Sequence, residues 1–219
     1  MYSPEELGAL ADVAIARDLI VISDEIYERL VYGDNRFASF ATVRPGLQER
    51  TILVNGVSKA YAMTGWRIGW TLSPPDIAKS MADLQSQETS NPSSISQYAA
   101  LAALNGPQEC VAEMLTEFSE RRDYVRKRIA ALPGITCSEM SGAFYAFLNI
   151  QRHLGRTYSG VLVNDSSAWC LELLAQKGVA TVMGSAFGAE GYARVSFATN
   201  LENLQRGFDQ IAAFLQQPR

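Results

Sequence analysis

Two apolar runs constrain the fold of this chain more than any other feature of its sequence. Leu19–Ile22 is wholly apolar and leads into Ser23 and Asp24, and Thr51–Val54 leads into Asn55 and Gly56 in the same way. Short apolar runs that are bounded by polar turn residues are typical of buried strands. Strands that are apolar on both faces predict a covered parallel or mixed sheet in an α/β fold.

Further elements follow from periodicity, caps and breakers. Ser3 as N-cap, Pro4 at the first helical position and Glu6 predict a helix start with a capping box. A third strand is predicted from about Ile68 to Leu72, where Pro74 and Pro75 stop it. The remaining predictions are helices over 76–88, 93–104, about 108–132, 166–177 and 201–216, and strands near 135–137, 143–148, 179–182 and 193–197.

The order of these elements predicts two domains. Residues 1–110 carry the predicted strands of the α/β sheet, and residues 111–219 begin with a long charged helix and continue as an α+β arrangement. The charged face of that helix is read as a solvated surface.

The charge balance of the chain limits the kinds of binding partner that are expected. The chain has 19 Lys and Arg against 23 Asp and Glu, for a formal net charge of −4. Nucleic acids and anionic membranes call for a basic face, so neither is expected as a partner. No apolar run is long enough to span a bilayer.

The number and spacing of the cysteines and histidines indicate the cellular location and the capacity for metal binding. Cys110, Cys137 and Cys170 form no Cys-x-x-Cys pair, and their odd number argues against a disulfide framework. We therefore expect buried, inert thiols and a cytoplasmic protein. The single histidine, His153, excludes a histidine-based metal cluster, and its polar neighbours predict that it faces solvent.

Candidate chemistry lies in loops that follow the predicted strands. These loops are Asp24–Tyr27, Asn55–Gly69 and Gly191–Ala198. Ligands of open α/β sheets collect at the carboxyl ends of strands. Each loop alone has an ordinary interpretation: an aspartate in a turn, a surface lysine, or an arginine in a salt bridge.

Four residues of the first two loops form a coherent chemical set. Lys59 offers an amine, Arg67 a guanidinium eight positions later, Asp24 a carboxylate and Tyr27 a phenol. Pyridoxal phosphate requires these four groups. Its aldehyde needs an amine, its phosphate a cation, its ring nitrogen an anion and its phenolate oxygen a donor.

At these residues the sequence resembles the class I aminotransferases, which are fold type I pyridoxal-phosphate enzymes. The resemblance is strongest to the bacterial aspartate and aspartate/prephenate subgroup, and it covers essentially all 219 residues in the family's order. The matching segments are Ser23–Tyr27, Ser58–Gly69, Ser141–Tyr145 and Arg194–Ala198. The implied fold is the C-terminal part of the large cofactor domain, with a partial sheet, followed by the α+β small domain.

The resemblance also implies a role for each site residue. Lys59 would form the Schiff base with pyridoxal 5′-phosphate and move the proton of the substrate Cα. Asp24 would pair with the ring nitrogen, Tyr27 would hydrogen-bond the ring oxygen, and Arg67 would hold the phosphate. Arg194 would bind the substrate α-carboxylate with its planar fork. No metal is implied.

Two positions depart from the family pattern. Ser58 could contact the phosphate, but the family often places that hydroxyl where this chain has Gly56. Met183 precedes Gly184 where proline is usual, in the loop that ends at Phe187-Gly188 and borders the substrate site. The role of Ser58 and the identity of the substrate side chain therefore stay open.

The resemblance begins about midway along a family chain. The glycine-rich phosphate loop, the aromatic residue that stacks on the cofactor ring and an Asn-Pro segment would all lie upstream of Met1. We therefore expect an N-terminally truncated chain that is inactive alone. The full-length enzyme is expected to be a homodimer that acts on an amino acid, such as aspartate, and a 2-oxo acid.

Three functions are compatible with these residues. The first is an aminotransferase, and the second is a pyridoxal-phosphate lyase with the same Lys59, Asp24, Tyr27 and Arg67. The third is a non-catalytic binding or dimerisation module. The intact set of site residues argues against a decayed site, and a requirement for a 2-oxo acid acceptor would separate a transaminase from a lyase.

Overall fold

Ser3 begins the first helix, α1 (Pro4–Ala16), through the predicted capping box. In the computed structural model, which describes residues 1–216, the Glu6 N–H donates to Ser3 Oγ at 3.2 Å and the Ser3 N–H donates to Glu6 Oε2 at 2.7 Å. The cap satisfies two backbone donors that a helix start leaves unpaired. The buried face of α1, with Ala11 and Ala14, packs in a small apolar core.

The chain divides into two units, one formed by Met1–Leu115 and the other beginning at Thr116. The division lies within helix α4 (Glu109–Ala130). The functional domains predicted for residues 1–110 and 111–219 stay predictions. The other elements of the first unit are β1 (Val21–Asp24), β2 (Thr51–Gly56), β3 (Gly69–Leu72), α2 (Pro75–Glu88) and α3 (Ser94–Asn105).

The three strands of the first unit form one mixed sheet in the order β1-β2-β3. β1 runs parallel to β2, with Asp24 opposite Val54, and β3 runs antiparallel to β2, with Gly69 opposite Gly56. The prediction of a parallel or mixed α/β sheet is thus confirmed.

The prediction that this sheet is covered is wrong for part of its surface. Ile22 of β1 is 71% exposed and Leu72 of β3 is 62% exposed. None of the residues of α2 is buried, and α3 exposes large apolar side chains such as Ile95 and Tyr98. An apolar run shows that a strand can be buried on both faces, but it does not show what covers it.

The second unit has an antiparallel sheet in the order β4-β5-β9-β8 and a separate hairpin, β6-β7. Its elements after α4 are β4 (Thr136–Cys137), β5 (Tyr145–Asn149), β6 (Arg156–Tyr158), β7 (Val161–Val163), α5 (Ser166–Lys177), β8 (Val182–Met183), β9 (Tyr192–Ser196) and α6 (Leu201–Leu215). The hairpin was not predicted, although Ser159 and Gly160, both at positive φ, give the turn signal.

Alternation along the central strands separates the two faces of this sheet. Ala146 and Leu148 of β5 and Ala193 and Val195 of β9 are buried, whereas the residues between them are more accessible. The core also contains an aromatic cluster in which the Tyr158 and Phe214 rings stack at 4.3 Å and Trp169 meets Phe214 edge-on at 5.7 Å.

His153 is buried, so the prediction that it faces solvent is wrong. The residue is 3% exposed, with its ring Nδ1 at 2.8 Å from the Tyr158 hydroxyl and its Nε2 at 2.8 Å from the Pro133 carbonyl oxygen. Its polar sequence neighbours did not reveal these partners, because one of them lies twenty residues upstream.

Burial of His153 predicts a loss of stability on acidification. Loss of hydration lowers the pKa of the His153 imidazole from its ordinary value of 6.5, and the Arg156 charge acts in the same direction. The folded state then binds fewer protons than the unfolded state, so the free energy of unfolding should fall as the pH drops below about 6.5. Urea titrations of the wild type and of His153→Gln between pH 7 and pH 5 measure this. An equal slope in both proteins would contradict it.

The thiols are less uniform than predicted. Cys170 is buried and Cys137 is half-buried, and loss of hydration raises the pKa of both. Cys110, in the first turn of α4, is exposed. The prediction of three buried thiols is therefore wrong for Cys110.

None of the helices in the described part of the chain could span a bilayer, and the longest of them, α4, carries a dense charged face.

Candidate active site

Strand direction brings the first four predicted site residues to one edge of the first sheet. β1 ends at Asp24, and β2 ends three residues before Lys59. β3 is antiparallel to β2 and begins two residues after Arg67, so its start lies at the same edge as the ends of β1 and β2. Tyr27 lies in the turn directly after β1.

The Lys59 loop is anchored by apolar residues on either side of the lysine. Val57 and Ala60 are buried, and the Tyr61 N–H donates to the Val57 carbonyl at 3.2 Å. The Tyr61 hydroxyl donates to Gln108 Oε1 at 2.8 Å, which ties the loop to the start of α4. Lys59 itself is half-buried. The loop thus presents an amine on a fixed backbone.

Lys59 lies over the ring of Tyr27. Its Nζ is 5.9 Å from the ring centroid, within the range of a cation–π contact. This contact joins two residues that are 32 positions apart in the sequence, from the loops that follow β1 and β2. An amine and a phenol are therefore neighbours at the strand edge.

A pair of glycines allows β2 and β3 to approach closely where they meet the Lys59 loop and the Arg67 turn. A Cβ on Gly56 would lie 3.0 Å from the Gly69 Cα, and a Cβ on Gly69 would lie 2.9 Å from the Asn55 carbonyl oxygen. Real Cβ atoms tolerate such distances poorly, so the close approach of β2 and β3 requires glycine at both positions.

Arg67 ends a short 3-10 turn, Thr64–Trp66, in the left-handed backbone region with φ of 50°. Its Nη1 donates to the Thr64 carbonyl at 2.8 Å, and the side chain is otherwise exposed. The remaining guanidinium donors are accessible to an anion.

Asp24 is exposed, and its Oδ1 accepts a hydrogen bond from the Ile26 N–H at 3.2 Å. This is the geometry of an Asx turn. Ser58 is half-buried beside Lys59, and its role stays a prediction.

Glu25 is a site residue that the sequence analysis missed. It is only 6% exposed, and its Oε1 accepts hydrogen bonds from Ser23 Oγ at 3.0 Å, from Ser39 Oγ at 3.0 Å and from the Phe40 N–H at 2.9 Å. The carboxylate fastens residues 39–40 to the end of β1, between Asp24 and Tyr27. Two acidic residues in series at a strand end are the only sequence signal.

Removal of this carboxylate should destabilise the first unit. We expect Glu25→Ala to lower the free energy of unfolding by about 1–3 kcal/mol, because a buried N–H and two hydroxyls lose their acceptor. Glu25→Gln keeps an acceptor oxygen and should lose clearly less. Urea unfolding of the three proteins measures the difference, and equal losses would contradict the proposed bonds.

Arg194 belongs to the second unit, on β9, opposite Phe147 of β5 and Val182 of β8. It is half-buried, and its Cζ lies 4.3 Å from the Tyr145 ring centroid and 4.4 Å from that of Phe187. The structure thus places four of the five predicted residues at one sheet edge of the first unit and the fifth on the second sheet.

Within residues 1–216, no group of three or more histidine, cysteine or acidic side chains is placed to hold a metal ion.

The sequence matches a known family over most of its length. The family described as aminotransferase class I and II matches residues 1–211. Among curated proteins, the chain is 43% identical over 216 residues to an aspartate aminotransferase from Geobacillus stearothermophilus, covering 99% of this chain and 54% of that protein. It is 44% identical over 220 residues to an aspartate/prephenate aminotransferase from Nitrosomonas europaea, covering 98% and 55%.

Solved structures agree with the sequence matches. The crystal structure of the aspartate aminotransferase from Rhizobium meliloti superposes with a TM-score of 0.95 at 42% identity, over 100% of this chain and 55% of that one. The aromatic aminotransferase from Pyrococcus horikoshii superposes with a TM-score of 0.89 at 38% identity, over 99% and 56%. The chain therefore spans about half the length of the relatives it matches, and the predicted fold is confirmed.

Proposed function

The chain belongs to the class I and II aminotransferases, and from that premise we propose that the whole protein moves an amino group between an amino acid and a 2-oxo acid with pyridoxal 5′-phosphate as cofactor. The names of the relatives support aspartate, or a similar amino acid, as donor. The observation that carries the proposal is the Lys59 amine over the Tyr27 ring, at the sheet edge shared with Asp24 and Arg67.

The donor set at this edge fits the cofactor chemically. Lys59 would hold the aldehyde carbon, and the exposed guanidinium of Arg67 would hold the phosphate. Asp24 would pair with the ring nitrogen, and the Tyr27 phenol would donate to the ring oxygen. When bound, the cofactor supplies an aldehyde for the amino group and a ring that accepts electrons.

The residues of this chain then supply binding and proton transfer. Once the substrate amino group has replaced Lys59 on the aldehyde carbon, the freed Lys59 amine would take the proton from the substrate Cα, and its fixed backbone would limit the number of unproductive orientations. The negative charge of the Asp24 carboxylate would stabilise a protonated ring nitrogen. Arg194 binds the α-carboxylate of either substrate through paired N–H donors.

The decisive experiment is an amino-transfer assay of the whole protein with aspartate and 2-oxoglutarate, with and without added pyridoxal phosphate. We expect product formation that requires both the 2-oxo acid and the cofactor. Release of product from the amino acid alone would favour a lyase, and cofactor binding with no turnover would favour a binding module.

Exposed apolar residues support self-association of the whole protein as a homodimer. Leu84 of α2 and Ile95, Tyr98 and Leu101 of α3 are all more than half exposed. Large apolar side chains exposed on two successive helices are the kind of residue that an interaction surface covers. The cysteine pattern, with no disulfide framework, supports a cytoplasmic location.

Replacement of Arg194 should affect every substrate in the same way. We expect Arg194→Lys to raise the KM of each amino donor and each 2-oxo acid, because the α-carboxylate is common to all of them and lysine lacks the planar fork. The lost charged hydrogen bond should cost about 1.5–3 kcal/mol, or roughly a tenfold to 150-fold rise in KM.

Steady-state kinetics on several donors measure this effect, with Arg206→Lys on the exposed face of α6 as the matched control. If KM rises for a single donor only, Arg194 reads the side chain and not the α-carboxylate.

A further inference from the structure

The guanidinium of Arg194 contacts two aromatic rings from different parts of the second unit. Its Cζ lies 4.3 Å from the Tyr145 ring centroid and 4.4 Å from the Phe187 ring centroid. Both distances are well inside the range of about 6 Å for cation–π contacts. Arginine that rests on ring faces keeps the N–H donors at its edge available for a carboxylate.

Strand register supplies the first ring. β5 and β9 are antiparallel, with Arg194 opposite Phe147, so Tyr145 is the diagonal neighbour two residues along β5. Residues two apart on a strand share a face, and diagonal pairs are within reach of long and aromatic side chains. The Tyr145 contact is therefore a direct product of the sheet.

A turn supplies the second ring. Phe187 is the last residue of the 3-10 turn Gly184–Phe187, which begins directly after β8. Phe187 is 48% exposed, so burial in the core contributes little to the position of its ring. It lies over the same face of the sheet as Arg194, with its ring edge-on to that of Phe147 at 6.1 Å.

Hydrogen bonds fix that turn to the start of α5. The Ser185 N–H donates to Ser166 Oγ at 3.3 Å, and Ser166 is fully buried. Glu190 holds Ser166 in turn: its Oε1 accepts the Ser166 N–H at 2.6 Å and the Gly191 N–H at 2.9 Å, and its Oε2 accepts the Ser166 hydroxyl at 3.1 Å. The segment that contains Phe187 is thus linked to Ser166 on both sides, at Ser185 and at Glu190.

We infer that Tyr145 and Phe187 are positioning residues for carboxylate recognition, which hold the Arg194 guanidinium in its binding orientation before substrate arrives. The inference rests on the proposed function, since it concerns the same carboxylate site. A free arginine side chain has high rotamer entropy, which binding must remove. Two ring contacts remove part of it beforehand, so that more of the hydrogen-bond energy remains as affinity.

Replacement of one ring by an aliphatic side chain should weaken carboxylate binding. The probe is succinate, which carries carboxylates but no amine and so binds without reacting. Calorimetric titration of the whole holoenzyme should show a Kd that is about threefold to thirtyfold higher in Phe187→Leu than in the wild type. Tyr145→Leu should behave likewise, and Phe187→Tyr, which keeps a ring, should remain within about twofold of the wild type.

Phe147→Leu is the matched control, because it makes the same change on the same face of the sheet. The Phe147 ring stacks on Tyr192 at 5.0 Å and meets Phe187 edge-on. Its loss should change the succinate Kd by less than about twofold. A loss as large as that of Phe187→Leu would mean that general packing of this face, and not ring contact with Arg194, sets the affinity.

A double-mutant cycle tests whether Phe187 acts through Arg194. In an Arg194→Lys background, Phe187→Leu should weaken succinate binding no further, because the orientation of the fork no longer matters. An undiminished loss in that background would overturn the inference, as would a Kd in Phe187→Leu within twofold of the wild type.

Side-chain dynamics give a readout that needs no ligand. With 15N-labelled arginine, the Nε–H signal of Arg194 is assigned by its disappearance in Arg194→Lys. Its order parameter in the holoenzyme should be high and should fall in Phe187→Leu, and an unchanged value would overturn the inference. A high Arg194 order parameter in a protein that transfers no amino group would contradict the proposed function but not this inference. Amino transfer by a protein whose Arg194 order parameter is low would contradict this inference but not the proposed function.

Discussion

Lys59→Ala should abolish amino transfer by the whole protein while leaving its fold intact. Loss of a positioned proton-transfer group alone typically slows a reaction by about 10²–10⁴-fold, and here the residue that holds the cofactor is lost as well. We therefore expect a fall in kcat at or beyond the upper end of that range. Steady-state assays at saturating cofactor and substrate measure it.

The location of the cofactor link gives an independent test of the same residue. Borohydride reduction of the holoenzyme followed by peptide mapping should place the label on Lys59. Lys79→Ala is the matched control, since the Lys79 ammonium is exposed on α2 and pairs with Asp83. A label on Lys79, or a large loss of turnover in its variant, would contradict the assignment.

Retention of the fold in Lys59→Ala follows from the way its loop is built. The buried side chains of Val57 and Ala60 and the hydrogen bond from Tyr61 to Gln108 hold the backbone. Lys59 contributes a half-buried side chain over the Tyr27 ring, a contact worth about 0.5–1 kcal/mol. A shift in the unfolding transition larger than this contact can explain would point to a structural role.

Local patterns in the sequence predicted the parts of the fold that local physics decides. Ser3 and Glu6 predicted the start of α1, because a capping box is complete within four residues. Asp24 and Lys59 were predicted to belong to one site because each follows a strand and ligands of open α/β sheets collect at the carboxyl ends of strands. The Ser159-Gly160 turn was also local and could have revealed the β6-β7 hairpin.

Features that depend on distant partners escaped the sequence analysis. The role of Glu25 depends on hydrogen bonds from Ser39 and Phe40, which lie in a later part of the chain. His153 was assigned to solvent because of its polar sequence neighbours, whereas its acceptor, the Pro133 carbonyl, lies twenty residues upstream. The exposure of Ile22 likewise depends on what else packs on the sheet, and an apolar run carries no such information.

Substitution of Asp24 tests whether its charge has a catalytic role, because its only described contact is also that of an ordinary turn residue. The Asp24 Oδ1 accepts the Ile26 N–H at 3.2 Å, and an asparagine oxygen could accept the same bond. If Asp24 is only a turn residue, Asp24→Asn should therefore behave like the wild type. If its charge supports a protonated ring nitrogen, Asp24→Asn should be impaired almost as strongly as Asp24→Ala.

We expect the second result. Loss of a charged hydrogen bond typically costs about 1.5–3 kcal/mol, so both variants should exchange the substrate Cα proton with solvent roughly tenfold to 150-fold more slowly than the wild type. The measurement is the rate of deuterium incorporation at Cα by the whole holoenzyme in heavy water. Unfolding curves recorded alongside should separate the variants: Asp24→Asn keeps the turn and its stability, whereas Asp24→Ala loses the bond to Ile26. Wild-type exchange in Asp24→Asn together with slow exchange in a destabilised Asp24→Ala would identify Asp24 as a turn residue, and the ring nitrogen would need another anion.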